Sequence, residues 1–431
     1  MAKLILFSYP LDGQINPTLG LATELTARGE ELIYYATGPY RQKIEATGAI
    51  FRPYPVPVAP ELDGAAETGV SPRQVADGVD ALVYMAGGFL RMAAPAVEAL
   101  LPEVRRENPG YLIHDALAWF GKQLGRILKI PAVSSIPTLV INRKMLAVDP
   151  QRFRETVFDI QGRDPHYEPA VTNRRLAVAS RQLGKLYGIG DFEIWDAFLA
   201  AEGLNLVYTS REFQFHGDLL GEEFQFVGPS LIPRHEPSDQ PLDFLDGRPL
   251  IYISLGTLFN ANLKFYRACF QALADWEGQV VMAVGDKLDA AALGGIPANF
   301  QVRNYLPQLE ILQRASLFIT HGGMNSVSEG LYHGLPLILA PQYYDQFLVA
   351  HRVAELGAGV YLRGLDCPEI CVGQAATQLR AAVDRLFADD AFRRRSTALG
   401  QTLRAAGGYR KAADVIFEWR KGHLGNNGNC L

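Results

Sequence analysis

The stretch Phe318-Ile319-Thr320-His321-Gly322-Gly323-Met324-Asn325-Ser326-Val327-Ser328-Glu329-Gly330 constrains this chain more than any other. Ala315, Leu317, Phe318 and Ile319 predict a buried strand, the two glycines a tight turn, and the residues after them a helix start. Glycines let a backbone come close to a ligand. A first helical turn adds free N–H groups and the positive end of a dipole. Asn325 and Ser326 place short polar side chains at that mouth. Such a turn holds a phosphate or pyrophosphate without a Walker lysine. Alone it is also what a plain βα connection looks like, so the flanking residues decide.

Glu329 follows Ser326 by three residues and Asn325 by four, which puts it on the same helical face. Gly334 to Pro341 reads as a short buried strand that ends at Gln342-Tyr343-Tyr344-Asp345-Gln346. The carboxyl end of a parallel strand is where an α/β protein places ligand-reading groups. Upstream, Asn304-Tyr305-Leu306-Pro307-Gln308 ends a further strand. With these residues in order, the run Tyr305 to Gln346 resembles the donor-binding segment of the family 1 nucleotide-sugar glycosyltransferases. The bacterial macrolide and flavonoid glucosyltransferases are the nearest in pattern. The resemblance extends from Ile5 to about Phe417.

The resemblance implies the GT-B fold, an α/β arrangement of two doubly wound, Rossmann-like domains facing a cleft. It also implies roles in a donor site. Tyr305, where plant members carry Trp, would stack on the nucleobase, and Gln308 would contact the nucleoside. His321, Gly323, Asn325 and Ser326 would hold the diphosphate, with Ser254 and Thr257 approaching from the other glycine loop. Glu329 would accept from the ribose hydroxyls, and Asp345 and Gln346 would hold the sugar. Read singly, His321 and Asn325 are also ordinary helix caps and Asp345 an ordinary helix start.

On the acceptor side, relatives read His-Gly-His, an apolar residue, then Asn-Pro after the first strand. The second His there is the general base, oriented by an Asp at the end of a later strand. Here the loop is Asp12-Gly13-Gln14-Ile15-Asn16-Pro17, so the base position is Gln14, an amide that takes no proton at neutral pH. The partner carboxylate persists as Asp115, at the end of Tyr111-Leu112-Ile113-His114-Asp115. Three readings stay open. Asp12 or Asp115 is the base; or the acceptor is a phenol, carboxylate or amine that needs little deprotonation; or the chain is a pseudoenzyme or auxiliary protein that binds nucleotide-sugar. His114 alternates away from Asp115, and His166 and His216 are outside candidates. Tyr84, Met85, Phe89, Met92, Trp119, Phe192 and Trp195 are expected to line an apolar acceptor pocket or to be ordinary core. Residues 142–202 are expected to form helices over that pocket.

Length and composition set the frame. The 431 residues suffice for two or three cores. A net charge of −5 argues against nucleic acid or an anionic membrane as the main partner. No apolar run reaches a spanning length, the start does not read as a signal peptide, and the four cysteines make no zinc pattern. Neither glycine loop spells Gly-x-Gly-x-x-Gly, which disfavours a dinucleotide oxidoreductase. The expectation is a cytoplasmic monomer or homodimer without metal or cofactor, with no stable membrane insertion. It would move a sugar with inversion, most simply glucose from UDP-glucose, onto a lipophilic natural product. The domains are expected at 1–228 for the acceptor and 243–408 for the nucleotide-sugar. A linker would fill 229–242, a returning C-terminal helix 409–422, and the tail would fray.

Overall fold

The computed structural model describes residues 2–58, 78–154, 168–232, 242–257, 260–288, 290–342, 345–363 and 370–424. The chain divides into two compact units, Met1–Ile232 with Ala406–Leu431, and Pro233–Ala405. Most of the expected linker, residues 233–241, lies outside the described residues.

The first unit carries a parallel sheet of seven strands in the order β3-β2-β1-β4-β5-β6-β7. These are β1 (Lys3–Phe7), β2 (Glu31–Ala36), β3 (Ile50–Pro53), β4 (Tyr111–Asp115), β5 (Ala132–Ile136), β6 (Asn205–Val207) and β7 (Phe224–Phe226). β1, β2 and β4 are almost wholly buried, as unbroken apolar runs must be when helices cover both faces. The first helix, Asp12–Ala27, buries Ile15, Leu19, Leu21, Ala22 and Leu25. It begins four residues earlier than Asn16-Pro17 suggested, because the Leu11 carbonyl accepts both the Gln14 and Ile15 N–H groups at 2.9 Å. Asp12 and Gln14 are therefore first-turn residues, and Pro17 sits inside the helix. The last helix, Gly408–Leu424, adds Ala412, Ala413 and Ile416 to the same apolar cluster. Gly20 makes that approach possible: a Cβ there would stand 2.5 Å from Ser230 Oγ and 2.9 Å from the Tyr409 ring.

The second unit carries six parallel strands in the order β10-β9-β8-β11-β12-β13. These are β8 (Leu250–Ser254), β9 (Gln279–Ala283), β10 (Phe300–Arg303), β11 (Leu317–Thr320), β12 (Leu337–Leu339) and β13 (Gly359–Tyr361). In each sheet the strand order runs one way and then the other, with the reversal between β1 and β4 and between β8 and β11. The carboxyl ends at such a reversal splay apart and leave a crevice, where ligands of doubly wound sheets bind.

Candidate active site

In the second unit the reversal brings Ser254, the last residue of β8, opposite Thr320, the last of β11. Both strands then turn on glycine: Gly256 at φ +75° and Gly322 at φ +84°. Between the two turns lies the His321 ring. A Cβ on Gly256 would come within 2.6 Å of its Cε1, and one on Gly323 within 2.5 Å of its Nε2. The glycines are thus the space the imidazole occupies. Burial pushes His321 down to about 4, against a hydrogen bond to the Ser254 main chain that raises it. So placed, it is a neutral imidazole at pH 7 that can donate one N–H.

The helix Met324–Tyr332 starts at Gly323, whose backbone is extended and which has no side chain to cap the first turn. The first turn of a helix carries N–H groups without intrahelical acceptors and the positive end of the helix dipole. On the same face, Gln308 Nε2 donates to Glu329 Oε2 at 2.6 Å and to Ser326 Oγ at 3.5 Å. The three residues singled out for the nucleoside, the phosphate and the ribose are therefore one hydrogen-bonded set, with Glu329 only 1% exposed. Tyr305 offers its ring at 47% exposure, as a stacking platform needs.

Asp345 opens the helix Asp345–Glu355. Gln346 Oε1 accepts the Gln342 N–H at 2.9 Å, and the Gln346 carbonyl would lie 3.1 Å from a Cβ on Gly322. Tyr343 and Tyr344 lie outside the described residues. Thr257 belongs to the Gly256 loop, and Asn260 ties that loop: its Nδ2 donates to the Gly256 carbonyl at 3.0 Å. Gly285, at φ +72°, leaves room for it, since a Cβ there would stand 2.0 Å from Asn260 Nδ2. Sequence reading picked out both glycine loops but missed Asn260 as a site-building residue. The available signal was a lone amide four residues past a strand-end glycine.

In the first unit the reversal places Phe7 beside His114, and hence the start of the first helix near Asp115. Asp115 is 2% exposed. Its Oδ1 accepts the Leu117 N–H at 2.8 Å, while Oδ2 has no hydrogen-bond partner among the described residues. The hydroxyls of Tyr34, Tyr54 and Tyr208 are its electrostatic neighbours, yet they bond Thr18, the Ser8 carbonyl and Ser135 instead. Burial without a cation pushes Asp115 up to about 8, with only the Leu117 N–H acting against it. Gln14 Oε1 is likewise buried and unpartnered, and no hydrogen bond joins it to Asp115. Asp12 is paired with Lys43 Nζ at 3.5 Å.

His114 faces away from Asp115. A Cβ on Gly121 would meet the His114 Cβ at 2.5 Å, and the ring bonds Glu202 Oε1 at 3.2 Å and the Asp115 carbonyl at 3.1 Å. His216 pairs with Asp149 Oδ2 at 3.1 Å beside Arg152, and His166 lies outside the described residues. Trp119, Phe192 and Trp195 are buried and pack on Phe192, Trp119 and Phe153 in turn, as core aromatics do. Tyr84, Met85, Phe89 and Met92 stay partly exposed. Phe89 meets Tyr9, two residues past β1, edge-on at 5.6 Å.

Comparison with known proteins covers the whole of this geometry. Residues 267–407 match the family described as erythromycin biosynthesis protein CIII-like, C-terminal domain. An uncharacterized UDP-glucosyltransferase of Bacillus subtilis, YojK, is 34% identical over 97% of both chains. The NDP-glycosyltransferase YjiC of Bacillus licheniformis is 34% identical over 96% of both. The chain belongs to the nucleotide-sugar glycosyltransferase family. The oleandomycin glycosyltransferase of Streptomyces antibioticus is 30% identical over 96% of this chain and 90% of its own. Among solved structures, the calicheamicin glycosyltransferase CalG4 superposes with a TM-score of 0.76 at 28% identity over 98% of both chains. This glycosyltransferase is therefore an enzyme of the macrolide and UDP-glucosyltransferase type, with the GT-B fold that the sequence resemblance implied. Among its described residues no helix is long and apolar enough to cross a membrane.

Proposed function

We propose that this glycosyltransferase moves glucose from UDP-glucose, with inversion, to a lipophilic acceptor, and that Asp115 is the base. The observation that carries the reading is the Asp115 carboxyl. It lies at the sheet reversal with one oxygen unpartnered and a pKa of about 8, where a family histidine is replaced by Gln14. A base poised near the working pH combines ionised population with driving force. The acceptor oxygen would attack the anomeric carbon as its proton passes to Asp115, and the C1–O bond to UDP would break. Gln14 would hold the acceptor hydroxyl without taking its proton. The departing diphosphate would be met by the first-turn N–H groups of Met324–Tyr332 and by the neutral His321 N–H. Tyr305, Gln308, Ser326 and Glu329 would hold the nucleoside, and Asp345 and Gln346 the sugar.

A second reading draws on the depth of Asp115 and its lack of a bond to Gln14. It holds that phenols, which ionise far more readily than alcohols, are the better acceptors. The test is a pH–rate profile on one phenol and one alcohol, for wild type and Asp115→Asn, after UDP binding has been established by thermal shift. A wild-type limb near pH 8 that Asp115→Asn removes supports Asp115. A limb that follows the phenol's own ionisation in both proteins supports the second reading. Binding of UDP-glucose without turnover of either acceptor would overturn both in favour of a nucleotide-sugar-binding protein.

A further inference from the structure

The helix Pro169–Leu186 has no acidic residue in 18 positions and carries Arg174, Arg175, Arg181 and Lys185. At 100° per residue, Val171, Arg174, Val178, Arg181, Lys185 and Leu186 share an arc of about 140°. The opposite arc, with Thr172, Leu176, Ala179 and Leu183, is buried. Val171, Val178 and Leu186 are 37%, 42% and 71% exposed, three of the nine large hydrophobics so exposed among the described residues. Scattered surface aliphatics need no explanation, but a third of them on one face of one helix do. Arg175 is paired with Asp80 at 2.7 Å. Arg174, Arg181 and Lys185 form no ion pair among the described residues, and they stand on a chain whose net charge is −5.

We propose that this face docks the enzyme reversibly on an anionic lipid bilayer. Cations along one flank of an aliphatic stripe on a surface helix are what an interfacial helix presents to headgroups and acyl chains. The face carries no exposed aromatic residue, the side-chain type most enriched among the anchors of protein–protein interfaces. A lipid surface deforms around such a face and asks only for charge and short apolar insertion. If the acceptor is lipophilic, as proposed above, docking brings the enzyme to the phase into which that acceptor partitions. The docking itself does not depend on that reading.

The test is co-sedimentation of the full chain with vesicles of phosphatidylcholine alone and of phosphatidylcholine mixed with phosphatidylglycerol. Binding is expected only to the mixed vesicles and should weaken as salt is added. Arg181→Gln should weaken it about fivefold, the equivalent of about 1 kcal/mol per basic residue at such a surface. The triple change Arg174→Glu, Arg181→Glu and Lys185→Glu should abolish it. Val178→Ser with Leu186→Ser should weaken it while leaving its salt dependence. All these side chains are exposed, and unchanged thermal melting would confirm the fold; if the triple variant melts early, Arg181→Gln carries the test. Wild type that stays in the supernatant with mixed vesicles, or a folded triple variant that binds them like wild type, overturns the proposal. Competition by soluble polyglutamate as effective as that by the mixed vesicles overturns it in favour of an acidic protein partner.

Discussion

Two buried titratable groups at the two sheet reversals are shifted to opposite effect. Asp115 is raised from 3.8 to about 8 and His321 is lowered from 6.5 to about 4. A carboxyl held protonated in the fold contributes stability that is full below about pH 4 and is lost as pH rises through about 8. A histidine held neutral contributes stability that is full above about pH 6.5 and is lost as pH falls through about 4. Asp115→Asn should therefore flatten the alkaline side of a melting-temperature profile between pH 5 and 9 and leave the acid side unchanged. An unaltered alkaline slope would remove Asp115 as its source. The same shift governs the chemistry. Gln14→His would restore an imidazole near Asp115, and the pairing of cation and carboxylate should pull Asp115 down. Its activity limb should then move below pH 8, with a gain of up to ~10²–10⁴-fold on an alcohol, read from kcat against pH. Ser254 and Asp115 at strand ends, and His321 one residue past β11, were legible in the sequence, because an apolar run that stops at a polar residue marks a carboxyl end; Glu329 was legible from its helical spacing to Asn325 and Ser326. Asn260 was not, since its role depends on the space left by Gly285, 25 residues on, in the turn after β9.

The elements that build the donor site are two glycine turns pressed against one imidazole. Gly256→Ala would force φ +75° on a residue with a Cβ and push that Cβ to 2.6 Å from the His321 ring. Left-handed strain of this kind costs about 1–3 kcal/mol, and here the ring cannot yield, because Gly323 closes its other side. The expected outcome is a loss of that size in urea unfolding together with weaker UDP binding. Normal UDP affinity in a folded Gly256→Ala protein would show that the His321 ring does not shape the site. Periodicity gave the existence of nearly every strand and helix around this region. It misplaced the start of the first helix, because Asn16-Pro17 is a strong local start signal that the upstream turn on Leu11 overrides. It also left Trp119, Phe192 and Trp195 undecided between pocket and core, since an aromatic at helical spacing reads the same in either place.

On the scale of the molecule, the chain leaves its first unit after Ile232 and returns to it at Ala406. The return is secured by the helix Gly408–Leu424, and its charged anchor is Glu30. The Glu30 carboxylate is buried, with Arg420 at 2.6 Å, the Tyr111 hydroxyl at 3.2 Å and the Ala2 N–H at 3.3 Å. A second pair, Arg28 with Asp414 at 2.5 Å, is more exposed and contributes little beyond register. The two pairs therefore predict unequal outcomes. Asp414→Ala should shift stability by under about 1 kcal/mol. Arg420→Ala strands a buried carboxylate, a change that typically costs about 3–5 kcal/mol; the 22% exposure left to Arg420 points to the lower end. Glu30→Gln combined with Arg420→Met should recover most of the loss, because what destabilises is the unpaired charge rather than the missing pair. Urea unfolding of the three variants measures this. Equal effects from Asp414→Ala and Arg420→Ala would mean that the apolar seam of Ala412, Ala413 and Ile416 holds the returning helix unaided.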